Sequence, residues 1–211
     1  MRRSRLSVPA TTLLLALLFA VSVLFASRIA EAQIKQPGAH PDYSLELDPH
    51  LVIQHAHGPF FDDEGIGLGL RASIPFVRNG PIPQINNNVG ISFGGDIAFF
   101  GSDFGCRSRG NALLGDDCDG SDLWLPVTFQ WNFFFTKVVS AFFEPGLAVT
   151  YWRRSWIEDC GDGNFCERTA SDLDLAEFVV FLGGRFLFTE RAGMTVRIGW
   201  PYVSVGGTFL L

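Results

Sequence analysis

The sequence predicts an all-β chain of eight antiparallel strands in up-and-down order, closed into a transmembrane β-barrel. Three observations predict it. Apolar and polar residues alternate with a period of two in eight separate stretches, which places them on opposite faces of a strand. Each stretch reads as about ten residues, the length a tilted strand needs to cross a bilayer; strands of soluble sandwiches are nearer 5–6. The two longest connections fall at one end and the two-residue turns Thr136-Lys137 and Glu190-Arg191 at the other, the asymmetry of barrels with long external loops and short periplasmic turns, from which the longer Val77–Asn88 turn and the short Pro201 connection depart.

The N-terminus stands apart from this pattern. Arg2, Arg3 and Arg5 make a basic start, Leu13 to Ala26 is apolar except for Ser22, and Ala30-Glu31-Ala32 is a small-x-small pattern. This is the layout of a secretory signal peptide, residues 1–32, cut after Ala32. Its apolar run is shorter than the ~20 residues of a spanning helix. Residues 33–42 then form a short periplasmic segment and residues 43–211 the barrel. Removing four Arg and one Glu takes the net charge from −6 for the whole chain to −9 for the mature one. That balance excludes a nucleic-acid binder, which needs a basic face. Charged residues are 18%, with 21 Phe and 23 Gly, a composition that suits aromatic strands and tight turns and not a disordered chain.

The strands follow in order. The first sets Tyr43, Leu45, Leu47, Pro49, Leu51 and Ile53 against Ser44, Glu46, Asp48, His50, Val52 and Gln54. The second sets the even positions Ile66 to Phe76 against Gly65, Gly67, Gly69, Arg71 and Ser73. The third has Val89, Ile91, Phe93, Ile97 and Phe99 against Gly90, Ser92, Gly94 and Asp96; the fourth has the odd positions Leu123 to Phe133 against Asp122, Thr128, Gln130 and Asn132. The fifth opposes Ala141, Phe143, Leu147, Val149 and Tyr151 to Ser140, Glu144, Gly146 and Thr150. The sixth runs from Ala176 to Thr189 with Glu177, Gly183 and Arg185 on its polar side, weakened by Val179, Phe181 and Leu187. Met194, Val196, Ile198 and Trp200 oppose Thr195, Arg197 and Gly199 in the seventh; Val203, Val205, Phe209 and Leu211 oppose Tyr202, Ser204, Gly206 and Thr208 in the eighth. The connections expected between them are His55–Glu64, Val77–Asn88, Gly101–Ser121, Thr136-Lys137, Trp152–Leu173, Glu190-Arg191 and Pro201.

With the apolar faces toward lipid, the polar faces line the lumen. They carry Glu46, Asp48, Asp96, Glu144 and Glu177 with Arg71, Arg185 and Arg197. Buried charges must be paired and hydrogen-bonded, and eight strands enclose a lumen just wide enough for side chains. A packed polar core is therefore expected, not a pore. Glu46 and Asp48 are close enough to serve acid/base chemistry, but an ion network accounts for them more simply, and no Ser-His or Cys-His pairing has convincing spacing.

All four cysteines fall in the two longest loops, Cys106 and Cys118 in one and Cys160 and Cys166 in the other. Export exposes them to an oxidising compartment, and pairing within each loop requires no docking of loop on loop. A four-Cys zinc site lacks the usual Cys-x2-Cys spacing. The same loops are acidic, but neither matches the twelve-residue EF-hand pattern, so solvated charge is expected. His55 and His57, followed by Asp62 and Asp63, read as ordinary loop residues. No metal and no cofactor is expected.

The C-terminus carries a resemblance. Ser204-x-Gly206-x-x-Phe209-x-Leu211 resembles the C-terminal β-signal of bacterial outer-membrane proteins, although Leu211 stands where an aromatic residue is usual. With eight alternating strands, residues 43–211 resemble the small outer-membrane barrels of the OmpA/OmpX type in architecture. The resemblance implies a place in the bacterial outer membrane, contact with its lipid, and folding by the barrel assembly machinery through the last strand. The expected function is non-catalytic, in envelope integrity or surface recognition by an external partner the sequence does not name. Two rival readings are a lipid-modifying outer-membrane enzyme, which needs a nucleophile and His converging at the outer rim, and a soluble secreted lipid-binding barrel, which needs an apolar interior.

Overall fold

The computed structural model describes residues 34–55, 64–100, 118–161 and 165–211. The expected signal peptide, residues 56–63 with His57, Asp62 and Asp63, and Cys106 lie outside them. Eight strands form among the described residues: β1 Glu46–His55, β2 Glu64–Val77, β3 Asn87–Phe100, β4 Cys118–Phe134, β5 Val139–Asp159, β6 Phe165–Leu187, β7 Ala192–Trp200 and β8 Tyr202–Leu210. Each pairs antiparallel with its sequence neighbour, and β1 pairs with β8 to close the barrel. Closure leaves no strand edge within the barrel wall, so every backbone donor and acceptor there can be met without water.

The alternation sets an inside-out barrel. Leu51, Leu68, Leu70, Leu125, Val127, Leu147, Phe178, Leu182 and Ile198 are exposed on the outside, while Glu46, Asp48, Arg71, Asp96, Glu144, Arg185 and Arg197 are buried inside. Such an apolar belt is stable only against lipid, since each Å² left in water costs about 25 cal/mol. Aromatic residues Phe76, Phe135, Phe186, Phe188 and Phe209 are exposed toward the end with the short turns, where transmembrane barrels carry a girdle of aromatic residues.

Several boundaries differ from the sequence reading. Within the expected Trp152–Leu173 loop, Trp152–Asp159 belongs to β5 and Phe165–Leu173 to β6, paired up to Asp159 opposite Phe165. Cys118–Ser121 likewise belongs to β4, paired with Trp156 to Arg153 of β5. Outside lipid both faces of a strand meet water, so the apolar–polar alternation that marks a spanning strand is lost while the ladder continues. A register irregularity between Ala148 and Thr150 of β5, facing Glu177 and Asp174 of β6, marks the change. His55, Val77, Asn87 and Asn88 are also strand residues and not loop residues.

Two residues of the apolar faces are buried within the protein instead of facing lipid. Tyr43 precedes β1 and is buried with Phe134, Leu187 and Leu210 at the short-turn end. Val89 is buried on the outer face, between Val77 and Trp131. Beside it the 78–86 turn returns to the wall: Asn87 Nδ2 donates to the carbonyls of Ile82 and Ile85, both at 2.8 Å, and Trp131 Nε1 donates to Asn87 Oδ1 at 3.1 Å. The 34–43 segment crosses the same end, with Asn86 N donating to Ile34 O at 2.7 Å and His40 stacked on Phe134.

Candidate functional site

The inward residues form layers along the barrel axis. At the short-turn end, Tyr43, Phe134, Leu187 and Leu210 make an apolar floor. Above it lies an ionic layer. Arg185 holds Glu46 with Nε at 2.9 Å and Nη2 at 2.5 Å, and Thr208 donates to the same carboxylate at 2.9 Å. Arg197 donates to Asp48 at 2.5 Å and to Glu144 at 3.1 Å, while Gln130 donates to the other Glu144 oxygen at 2.8 Å. Arg71 donates to Asp96 at 3.2 Å and to the Tyr202 hydroxyl at 2.5 Å; Tyr202 in turn donates to Asp96. The guanidiniums of Arg185 and Arg197 lie over the Phe142 ring at 5.4 and 5.1 Å, and that of Arg71 over Phe181 at 5.2 Å. Flat cations stacked on aromatic rings make the layer compact without more carboxylates.

His50 completes this layer. Its Nε2 is 2.8 Å from Asp96 Oδ1, and its Nδ1 is 2.9 Å from the Asp48 carbonyl and 3.3 Å from Asp48 Oδ1. Both ring nitrogens face acceptors alone, an arrangement that the doubly protonated ring satisfies with two N–H donors. Four cations, Arg71, Arg185, Arg197 and His50, then face four carboxylates, Glu46, Asp48, Asp96 and Glu144, so the layer is neutral. Glycines make room for it. A Cβ on Gly69 would lie 2.0 Å from Asp96 Oδ1 and 2.3 Å from His50 Nε2, and one on Gly183 would enter the Phe142 ring.

Above the ionic layer the lumen turns apolar, with Val52, Ala98, Phe100, Trp124, Ala148, Val179, Phe181 and Tyr202 packed together. The expected packed polar core is interrupted here by an apolar layer. Charges neutralised among themselves need no further polar neighbours, so apolar side chains can fill the remaining width. An outer polar layer follows: Gln54 donates to Asp122 at 2.7 Å, Trp124 donates to Gln54 at 3.2 Å, and Arg154 donates to Asp122 while lying 4.2 Å over the Phe100 ring.

Of the eight charges expected in the lumen, the structure brings Glu46, Asp48, Arg71, Asp96, Glu144, Arg185 and Arg197 into one cluster. Glu177 is half-buried opposite Ala148 and takes part in none of the pairs named above. His50 and Tyr202 stood on the polar faces of their strands, yet composition alone did not mark them as partners. Arg154 was hidden because its segment read as loop.

Cys160 and Cys166 are disulfide-bonded across the tip of the β5–β6 hairpin, as expected. The partner pairing of Cys106 with Cys118 falls outside the described residues. In β8, Ser204 is buried, Gly206 pairs with His50 and Phe209 is exposed, as is Leu211 just past the end of the strand. Among the described residues no three His, Cys, Asp or Glu side chains are arranged to hold a metal ion.

The closed ladder, apolar exterior and charged interior define a small eight-stranded transmembrane β-barrel. No family model and no curated protein matches the chain. Among solved structures it is similar to Ail, the attachment invasion locus protein of Yersinia pestis. In complex with the heparin analogue sucrose octasulfate, Ail matches at 13% identity and a TM-score of 0.40, over 80% of this chain and 97% of that one. A second Ail structure matches at 15% identity and a TM-score of 0.36, over 79% and 97% of the two chains. The barrel rests on its own strand pairing and not on these matches.

Proposed function

We propose that the chain is a non-catalytic bacterial outer-membrane barrel whose lumen is closed and whose external sheet performs surface recognition. The observation that carries this is the hairpin. Residues 165–179 of β6 run beyond Trp200, the last residue of β7, which pairs with Val180. Together with the upper parts of β4 and β5 they form a three-stranded sheet above the wall, bridged at its tip by Cys160–Cys166. A barrel that served only to span the membrane has no need of an ordered ladder outside lipid. Membrane lipid surrounds the belt, and the last strand, through Ser204, Gly206, Phe209 and Leu211, engages the assembly machinery. The layered interior supports closure: a neutral ionic layer lies between two apolar ones, so a solute would have to displace paired charges and packed rings together.

The test is topological. An epitope tag inserted after Gly161 should be reached by antibody on intact cells, and one inserted at Lys137 only after the outer membrane is opened. Access to the Lys137 tag alone would refute the reading.

A further inference from the structure

Resting on that surface-recognition reading, we propose that the inner face of the projecting sheet binds an extended cationic peptide segment through Trp152 and Trp156. Both side chains are half-exposed on the face of β5 that continues the lumen wall, with buried Arg154 between them. Arg154 is neutralised by Asp122 and lies against Phe100, so it does not oppose a cation. Trp152 stands across from Asp122 on β4 and Asp172 on β6. One step lower on the same face, the Thr150 hydroxyl is buried, lacks a hydrogen-bond partner among the described residues, and stands across from Trp124 and Asp174. A buried hydroxyl without a partner is an open acceptor for a ligand or its water.

Charge selects the occupant. Segments 118–122, 150–161 and 165–177 carry eight carboxylates and three Arg, with no Lys, a net of −5. Trp rings attract cations through their faces, more strongly as water is excluded, and the surrounding carboxylates add to the field. A sulfated or phosphorylated glycan would be repelled, and a neutral sugar would gain stacking but nothing from the charge. Four residues along β5 separate the two rings by roughly 13 Å. That is the spacing of same-face side chains i and i+4 in an extended peptide, so two Lys or Arg can meet two rings in register.

Calorimetric titration of the refolded full chain in detergent micelles tests this, with alternating Lys-Thr and Glu-Thr peptides and a neutral maltooligosaccharide as probes. The Lys-Thr peptide should bind, less tightly as salt is raised. Trp152→Ala and Trp156→Ala should each weaken it roughly 2–5-fold, Trp152→Phe less, and the double change Asp172→Asn/Asp174→Asn should weaken it at least as much. The heat-modifiable gel shift of each variant confirms a folded barrel. No binding of the Lys-Thr peptide, binding unchanged in these folded variants, or tighter binding of the sugar would each overturn the proposal. Because the titration does not depend on orientation in cells, such a failure is separate from failure of the epitope test.

Discussion

His50 bridges Asp48 of its own strand to Asp96 of β3, and the neutrality of the whole ionic layer depends on it. Neither Asp would be so buried without cations on several sides. The consequence can be measured on Arg71, which serves Asp96, Tyr202 and, at 3.7 Å, Glu144. Arg71→Ala leaves these groups facing an uncompensated charge, and removing one partner of a buried pair costs ~3–5 kcal/mol, less where water enters. Asp119→Ala, at an exposed position, should stay within about 0.5 kcal/mol. Urea unfolding from lipid vesicles compares the two; equal losses would mean that the supposed lumen is solvated. The three Arg and four of the five carboxylates of this site were legible because a period of two assigns each to a face. His50 was on the right face but unremarkable beside Val52 and Gln54, since nothing in a strand's own pattern tells which residues of other strands it will meet. The stacking of Arg185 and Arg197 on Phe142 was illegible for the same reason.

At the scale of the strand, β4 shows two regimes. Its lipid-facing residues from Leu123 to Phe133 alternate strictly, and they announced the strand from sequence. Replacing Val127 near the middle of that belt by Arg should cost ~2–4 kcal/mol, whereas Phe135→Arg at the short-turn end should cost ~0–1, because the penalty follows depth in the bilayer. Unfolding from vesicles measures both, and equal penalties would contradict a spanning strand. Beyond the rim the regime changes. Trp152 to Asp159 and Phe165 to Leu173 pair as strands, but Arg153, Arg154, Glu167, Arg168 and Asp172 interrupt any apolar face. A ladder in water leaves no such imprint, so the sequence of this sheet does not distinguish it from a loop. Its disulfide is local, spanning six residues. Cys160→Ser/Cys166→Ser should therefore speed proteolysis at the hairpin tip and leave the urea midpoint of the barrel in place, since the wall's backbone bonds are complete without it. A large drop in that midpoint would show that the projecting sheet helps hold the wall.

At the scale of the molecule, the barrel inverts the usual distribution of residue types, and each face solves a different problem. The outside needs only to be apolar over the height of the bilayer. The inside must fill a fixed width and leave no bare charge, and it does so by stacking an apolar floor, a neutral ionic layer, an aromatic layer and the Asp122–Arg154 pair. Closure of the wall, the number of strands and the polarity of its two faces were all readable from the sequence, whereas the order of the layers was not, because it arises from side chains on strands far apart in the chain. Planar-bilayer conductance of the unmutated protein tests the central claim, a barrel whose interior is shut. The layered lumen predicts no steady unitary current at neutral pH; a large, stable, ohmic conductance through the folded barrel would contradict it.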